Sequence, residues 1–215
     1  SESDAAGQGP GQYALGRGHW ALHEYDSAQG HLEQALAAGY NRPEVHVALG
    51  LTLGQRYKNA LDDARRIEDK TAREAVIRRA EMTYREPALR HLRESGGSEV
   101  ESRTYIEGLV ALYEKRYDDA ASKAIAASNE TPWLYEAKTL EGDARFAAGI
   151  AAKDSGRKEA AREDLNLAIS AFNAATAMAT SMAGSTATML RHSSAEPVQS
   201  PIAPSTLVAT KAPSA

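Results

Sequence analysis

The chain has 215 residues, of which 42% are hydrophobic and 25% charged, with a formal net charge of −4 and no cysteine. These values fit a globular chain of one large or two small domains and exclude disulfides, thiolate metal sites and a cysteine nucleophile. No apolar run approaches the length of a membrane span, and with only two Phe and abundant alanine the core must come from closely packed helices.

The opening SESDAAGQGPGQ lacks both the basic and the apolar parts of a secretion signal and reads as a flexible leader over 1–12. Its GQGPGQ has Gln12 where a phosphate loop needs glycine, and no strand pattern precedes it. From Tyr13 onward Ala14, Leu15, Gly18, Ala21 and Leu22, then Ala28, Leu32, Ala35 and Leu36, recur at helical spacing. A turn is predicted near HEYDS, with Asp26 and Ser27 capping the second helix, which ends at Gly39 ahead of Pro43. Residues 13–40 therefore form a helical hairpin.

Leu15-Gly16 returns as Leu49-Gly50 after 34 residues, and Gly108 returns as Gly142 after another 34. So short a hairpin cannot bury its apolar face alone and must stack on a neighbour, the physical reason for copying it. Further hairpins are expected over 43–95, 100–129 and 132–178, giving a repeat domain over 13–183. In the second, Tyr57 follows Gly50 by seven residues, where Tyr25 follows Gly16 by nine, which predicts a tighter turn at Tyr57. Gly50 and Gly108 are 58 residues apart, 24 more than one period. The surplus reads as an extended helical insertion running from about Ala60 to the ESGGSE linker, bent at Glu86-Pro87. Its stripe of Val76, Ile77, Ala80 and Tyr84 is expected to receive Leu89 and Leu92, as a decoration on a self-sufficient array. In the fourth hairpin Gly142 and Gly149 lie two helical turns apart, and Leu165, Ala168, Ile169 and Phe172 mark the last amphipathic helix. The Ser, Thr and Pro-rich stretch 184–215 reads as a disordered tail.

Tyr-Asp-x-Ala after a Leu-Gly helix, small and apolar residues at helical spacing, and a closing proline resemble the tetratricopeptide repeat family. The first copy carries Leu15, Gly16, Tyr25, Ala28, Leu32, Ala35 and Pro43; the third carries Gly108, Tyr117, Ala120, Ala124, Ala127 and Pro132. The resemblance implies an all-α, α-α solenoid superhelix whose concave face, lined by the first helix of each hairpin, binds a peptide or protein partner. The implied groove residues are Tyr13, Arg17 and Trp20, then Val47 and Leu51, then Tyr105, Leu109, Leu112 and Tyr113, then Asp143 and Phe146. LAAGYNRPEVHVALG, YREPALRHLRES and PWLYEAKTLEGD are further similar to the repeat region that follows the kinase domain in some bacterial serine/threonine kinases, which implies recruitment of substrates or regulators. No kinase motif is present in this sequence.

Between Arg56 and Arg93 there are eleven Lys or Arg against seven acids. Acid precedes base by four residues at Asp62/Arg66, Asp69/Arg73, Glu74/Arg78, Glu81/Arg85 and Glu86/Arg90, the supportive order on a helix surface. Self-pairing of this kind leaves no nucleic-acid partner expected. His19 and His23 have i,i+4 ligand spacing, with His31 and Asp26 nearby in sequence, but no third ligand is evident locally and no metal or cofactor is expected. Asn129-Glu130-Thr131 is discounted as a glycosylation site because Pro132 follows and no secretion signal is recognisable. No nucleophile keeps His-Asp company, so catalysis is not expected. The sequence thus points to an interaction module in a reducing, cytoplasmic setting, with self-association through the insertion as the alternative.

Overall fold

A computed structural model describes residues 2–96 and 102–193. Among the described residues the secondary structure is helical throughout, without strands. The helices are α1 (Glu2–Ala21), α2 (Tyr25–Ala37), α3 (Pro43–Ala64), α4 (Lys70–Ala80), α5 (Glu86–Glu94), α6 (Arg103–Tyr113), α7 (Tyr117–Glu130), α8 (Tyr135–Asp154) and α9 (Lys158–Ser193). A π-helical segment, Glu81–Arg85, joins α4 to α5. The chain divides into Ser1–Met178 and Ala179–Ala215; the description below concerns the first unit. In the second, the helix of α9 continues to Ser193. The remainder of the expected tail and the 97–101 part of the expected linker lie outside the described residues.

Three of the hairpins close with the same turn. His23, Lys115 and Gly156 take left-handed backbone conformations, with φ of 61°, 63° and 76°. In each case the next amide reaches back five residues: Glu24 N–H donates to His19 C=O, Arg116 N–H to Ala111 C=O and Arg157 N–H to Ala152 C=O, each at 2.9 Å. This closure satisfies carbonyls that the helix end would leave bare. The second helix then begins at Tyr25, Tyr117 or Lys158. Asp26 and Ser27 consequently lie inside α2, whose N-cap is Glu24 without a side-chain cap. The expected cap is corrected accordingly.

Helix pairs approach each other at glycines. A Cβ on Gly16 would lie 2.6 Å from Leu32, one on Gly50 2.6 Å from Leu92, one on Gly108 2.9 Å from Leu140, and one on Gly142 2.6 Å from Phe172. Gly149 repeats the arrangement against Leu165, at 2.9 Å. Alanines carry the remaining close packing: Ala120, Ala121, Ala124 and Ala127 of α7 are fully buried between α6 and α8. The largest cluster joins Val47 of α3, Leu92 of α5, Tyr105, Ile106 and Leu109 of α6, and Leu140 of α8. A second, of Leu32, Ala35, Val45, Ala48 and Leu49, seals α2 to α3.

Two expectations about the ends of elements are overturned. The supposed leader is helical from Glu2 onward, and Gly9 is buried with Tyr40 where its Cβ would be. Tyr57 marks no turn: α3 continues past it to Ala64, and Tyr57 is buried. The surplus of the second hairpin is therefore shared between a long first helix and the α4–π–α5 unit. Neither is the insertion a decoration, since Ala88, Leu89 and Leu92 of α5 are buried and α5 packs along α3 as the second helix of the hairpin. At Glu86-Pro87 the helix does not break; the preceding π-turn accommodates the proline.

Of the five expected charge pairs, Glu74/Arg78 and Glu81/Arg85 form, at 3.9 and 2.9 Å. Asp62 and Asp63 instead pair three residues on, with Arg65 and Arg66, Asp69 caps α4 through the Ala72 amide, and Glu86 pairs with Arg85. Because Leu92 fills the Gly50 crossing while Val76 is 38% exposed, Leu92→Ala should cost about 2–5 kcal/mol and Val76→Ala less than about 1 kcal/mol. Urea midpoints of the two variants check this, and equal losses would return α5 to the status of a decoration.

Candidate functional site

The first helices of the hairpins carry the residues expected to meet a partner, and the structure sorts them into three groups. On α1, Tyr13, Arg17 and Trp20 occupy one stripe at i, i+4 and i+7, all half-buried. Arg17 donates to the Tyr13 hydroxyl at 3.3 Å. The Trp20 indole N–H is buried without a hydrogen-bond acceptor. Wide, half-exposed side chains of these types are what partner surfaces are built from.

The second group belongs to packing. Val47, Tyr105 and Leu109 are 2%, 8% and 6% exposed and sit in the main core cluster, with Leu51, Leu112 and Tyr113 partly buried against it. Direct packing of α3 and α6 side chains against each other takes Val47, Tyr105 and Leu109 away from any groove surface, which corrects the expectation for those three.

The third group is occupied from within the chain. Lys58, on the extended part of α3, donates to both carboxylate oxygens of Asp143 on α8, at 2.7 and 2.9 Å. Two turns further on, at the C-cap of α3, the Arg65 guanidinium lies over the Phe146 ring, 4.9 Å from its centroid. Asp143 and Phe146 are thus contacted by α3 itself. Tyr113 lies between these helices, its ring edge-on to Tyr57 at 6.3 Å and its hydroxyl end where a Gly54 Cβ would stand. Burial pushes the Tyr113 hydroxyl pKa up, and the Asp143 charge adds to the rise. Burial likewise raises the Asp143 carboxyl above the ordinary aspartate value, with Lys58 pulling it part of the way back.

A polar cavity of about 500 Å³ opens between the α1–α2 turn, α3 and the π-helical segment, lined by Tyr25, Asp26, Arg56, Asn59 and Tyr84 among others. Arg56 organises it: the guanidinium lies 4.7 Å from the Tyr84 ring centroid, donates to the Tyr84 hydroxyl at 3.2 Å and pairs with Asp26. Sequence reasoning missed this cavity because Tyr84 matched an apolar stripe and Asp26 a cap. Only the packing of α3 against both α2 and the π-helical segment places them beside Arg56.

The histidines expected to be closest to a metal pattern serve other contacts. His19 stacks on His31 at 4.9 Å and bonds Glu24 at 2.6 Å, His31 bonds Gln12, and His23 bonds the Tyr25 hydroxyl. A different set, His46, His91 and Glu94, converges instead. Among the described residues no helix is long and apolar enough to cross a membrane. Comparison with protein-family models, with curated proteins and with solved structures finds no match to this chain.

Two outcomes follow from the contacts that α3 makes with Tyr113 and Asp143. Gly54→Ala drives a methyl into the Tyr113 hydroxyl and should destabilise the protein by about 1–3 kcal/mol. Gly18→Ala meets nothing within 4 Å and should stabilise it by about 0.5–1 kcal/mol through helix propensity. Thermal melts that rank the two alike would contradict the crossing. For Asp143, the carboxyl carbon resonance should titrate above the ordinary aspartate value, and Lys58→Met should move the midpoint higher still. A pKa raised on folding means that this group's contribution to stability is fully present below the unfolded-state value and is lost as pH rises through the folded-state value. A midpoint at or below the ordinary value would show the carboxylate to be solvated.

Proposed function

We propose that this chain is a protein-binding module of the tetratricopeptide type, in which a peptide or a partner helix lies along the first helices of a stacked array. The observation that carries the reading is the recurrence of one hairpin, with the same left-handed turn at His23, Lys115 and Gly156 and, seven residues before each turn, the same glycine at Gly16, Gly108 and Gly149 facing the second helix. Repeated hairpins present successive first helices on a common side, and such surfaces take extended peptides or helices. The α1 stripe of Tyr13, Arg17 and Trp20 is the part of that side richest in exposed anchor chemistry, with Leu51 beside the core cluster. The resemblance to the repeat region of bacterial serine/threonine kinases makes the partner a kinase substrate or regulator, in a cytoplasmic setting, with binding rather than catalysis as the role. A second reading, self-association through the insertion, draws on Val76 and Met82, which are 38% and 75% exposed on α4 and the π-helical segment.

Selection from a random peptide library displayed against the purified chain tests the first reading. Enriched peptides should lose at least tenfold in affinity on Trp20→Ala and on Arg17→Glu, while Met82→Ser leaves them unchanged. Peptides indifferent to both α1 substitutions would overturn the placement of the surface. A concentration-dependent dimer by light scattering that Met82→Ser dissolves would favour the scaffold.

A further inference from the structure

His46 stands in the first turns of α3, and His91 and Glu94 stand at i and i+3 near the end of α5. Packing of α5 along α3, with Leu92 in the Gly50 crossing, brings the three side chains to one point. His46 Nδ1 lies 2.9 Å from His91 Nδ1 and 3.2 Å from Glu94 Oε2, and His91 Nδ1 lies 3.8 Å from the same oxygen. His46 is only 9% exposed, whereas the Glu94 side chain is 48% exposed.

The tautomer of His46 is set from behind. Its Nε2 lies 2.6 Å from Asn41 Oδ1, and an amide oxygen only accepts, so Nε2 carries the proton. With Nε2 committed to Asn41, Nδ1 is the nitrogen that faces the His91 nitrogen and the Glu94 carboxylate, and as a metal ligand it would offer its lone pair there. A lone pair, a carboxylate oxygen and a second imidazole nitrogen facing one another at these separations call for a positive charge among them. A tetrahedral ion with bonds of about 2.0–2.2 Å sets its ligand atoms about 3.3–3.6 Å apart, and the three observed separations bracket that range.

We infer that His46, His91 and Glu94 form a binding site for a divalent transition-metal ion of the zinc class, clamping the start of α3 to the end of α5. Two imidazoles and one carboxylate select zinc, copper or nickel over magnesium or calcium, which prefer oxygen alone. The half-exposed Glu94 side leaves the fourth coordination position to water. Asn41 is the positioning residue, holding the His46 ring with Nδ1 forward as outer partners of metal-bound histidines do. The inference stands on this geometry alone and is independent of what the array binds.

The experiment is a zinc titration of the full chain, stripped of metal with a chelator, followed by calorimetry and by long-range proton–nitrogen spectra of the imidazoles. One equivalent should bind, the Nδ1 resonances of His46 and His91 should shift, and those of His19 and His31 should stay in place. His91→Ala and Glu94→Gln should each weaken zinc at least tenfold, and Asn41→Ala by about 10–100-fold. Glu94→Gln is exposed enough to leave the fold intact, which far-UV circular dichroism verifies, so the test survives any misfolding of the histidine variants. Cobalt substitution should give the intense visible bands of four-coordinate geometry. Absence of binding at micromolar zinc, or a stoichiometry unchanged in the His91→Ala, Glu94→Gln double variant, would overturn the site and leave hydrogen bonding among the three side chains as the account of the cluster.

Discussion

The backbone-to-backbone approach at the glycine crossings is the constraint from which the rest of the packing follows. At Gly16, Gly50, Gly108, Gly142 and Gly149 the side chain of a neighbouring helix stands where a Cβ would be. Large residues are scarce in this chain, so helices lower their energy by coming close enough for many weak contacts. Alanine-lined faces such as that of α7 pack well only at this short spacing. A short interaxial distance in turn demands a short connection, and the left-handed turns at His23, Lys115 and Gly156 supply one. Two of those positions are occupied by residues with a Cβ, which strain the backbone there. Closing the hairpin tightly outweighs that cost.

The second hairpin departs from the pattern, and the departure shapes the surface. Its first helix runs to Ala64, beyond the point where α1 and α6 turn, and the added length carries Lys58 and Arg65 to Asp143 and Phe146. A regular array would leave the inner side of α8 facing solvent. Here Lys58 and Arg65 cover Asp143 and Phe146, while Tyr13, Arg17 and Trp20 on α1 stay half-exposed. The same extension frames the Arg56 cavity, because Arg56 lies on α3 opposite both the α1–α2 turn and Tyr84. One lengthened helix thus covers two residues of α8 and frames a cavity elsewhere.

Helical periodicity and the glycine copies were legible because each is local or strictly periodic: Leu15-Gly16 and Leu49-Gly50 could be matched by counting. The turns were not. His23 and Lys115 adopt a conformation usually given to glycine, so no residue announces it, and Tyr57 imitated a turn tyrosine although nothing before it closes a helix. Glycine abundance suggested a flexible leader, yet Gly9 and Gly16 are seven residues apart and share a face. That spacing was the available signal for a packed helix. Groove residues were assigned by analogy with a regular array, which cannot foresee that α3 and α6 pack Val47, Tyr105 and Leu109 into one cluster. His91-x-x-Glu94 could be read as a helical pair, but its partner His46 lies 45 residues away and is joined to it only by the fold.

The π-helical segment explains how a long insertion can still serve as the second helix of a hairpin. At about 100° per residue, Ala80 and Leu92 would be separated by about 120° around a regular helix, and only one of them could face α3. Pro87 has no amide hydrogen to give the preceding turn. Glu86 N–H reaches back five residues to the Glu81 carbonyl, and the wider turn absorbs one residue. With that residue absorbed, Ala80 and Leu92 come within about 20° of each other, and both are buried, 3% and 2% exposed. Glu81, at the start of the segment, accepts Arg85 from its own helix at 2.9 Å and Lys115 from the α6–α7 turn at 2.8 Å. The bulge therefore keeps the apolar stripe on one face while binding the insertion to the next hairpin. The Arg-rich run acquires its role in this way: Arg85 neutralises Glu81 and Glu86, and Arg93 reaches Glu114 across the hairpin boundary. Its charge is spent on holding neighbours together.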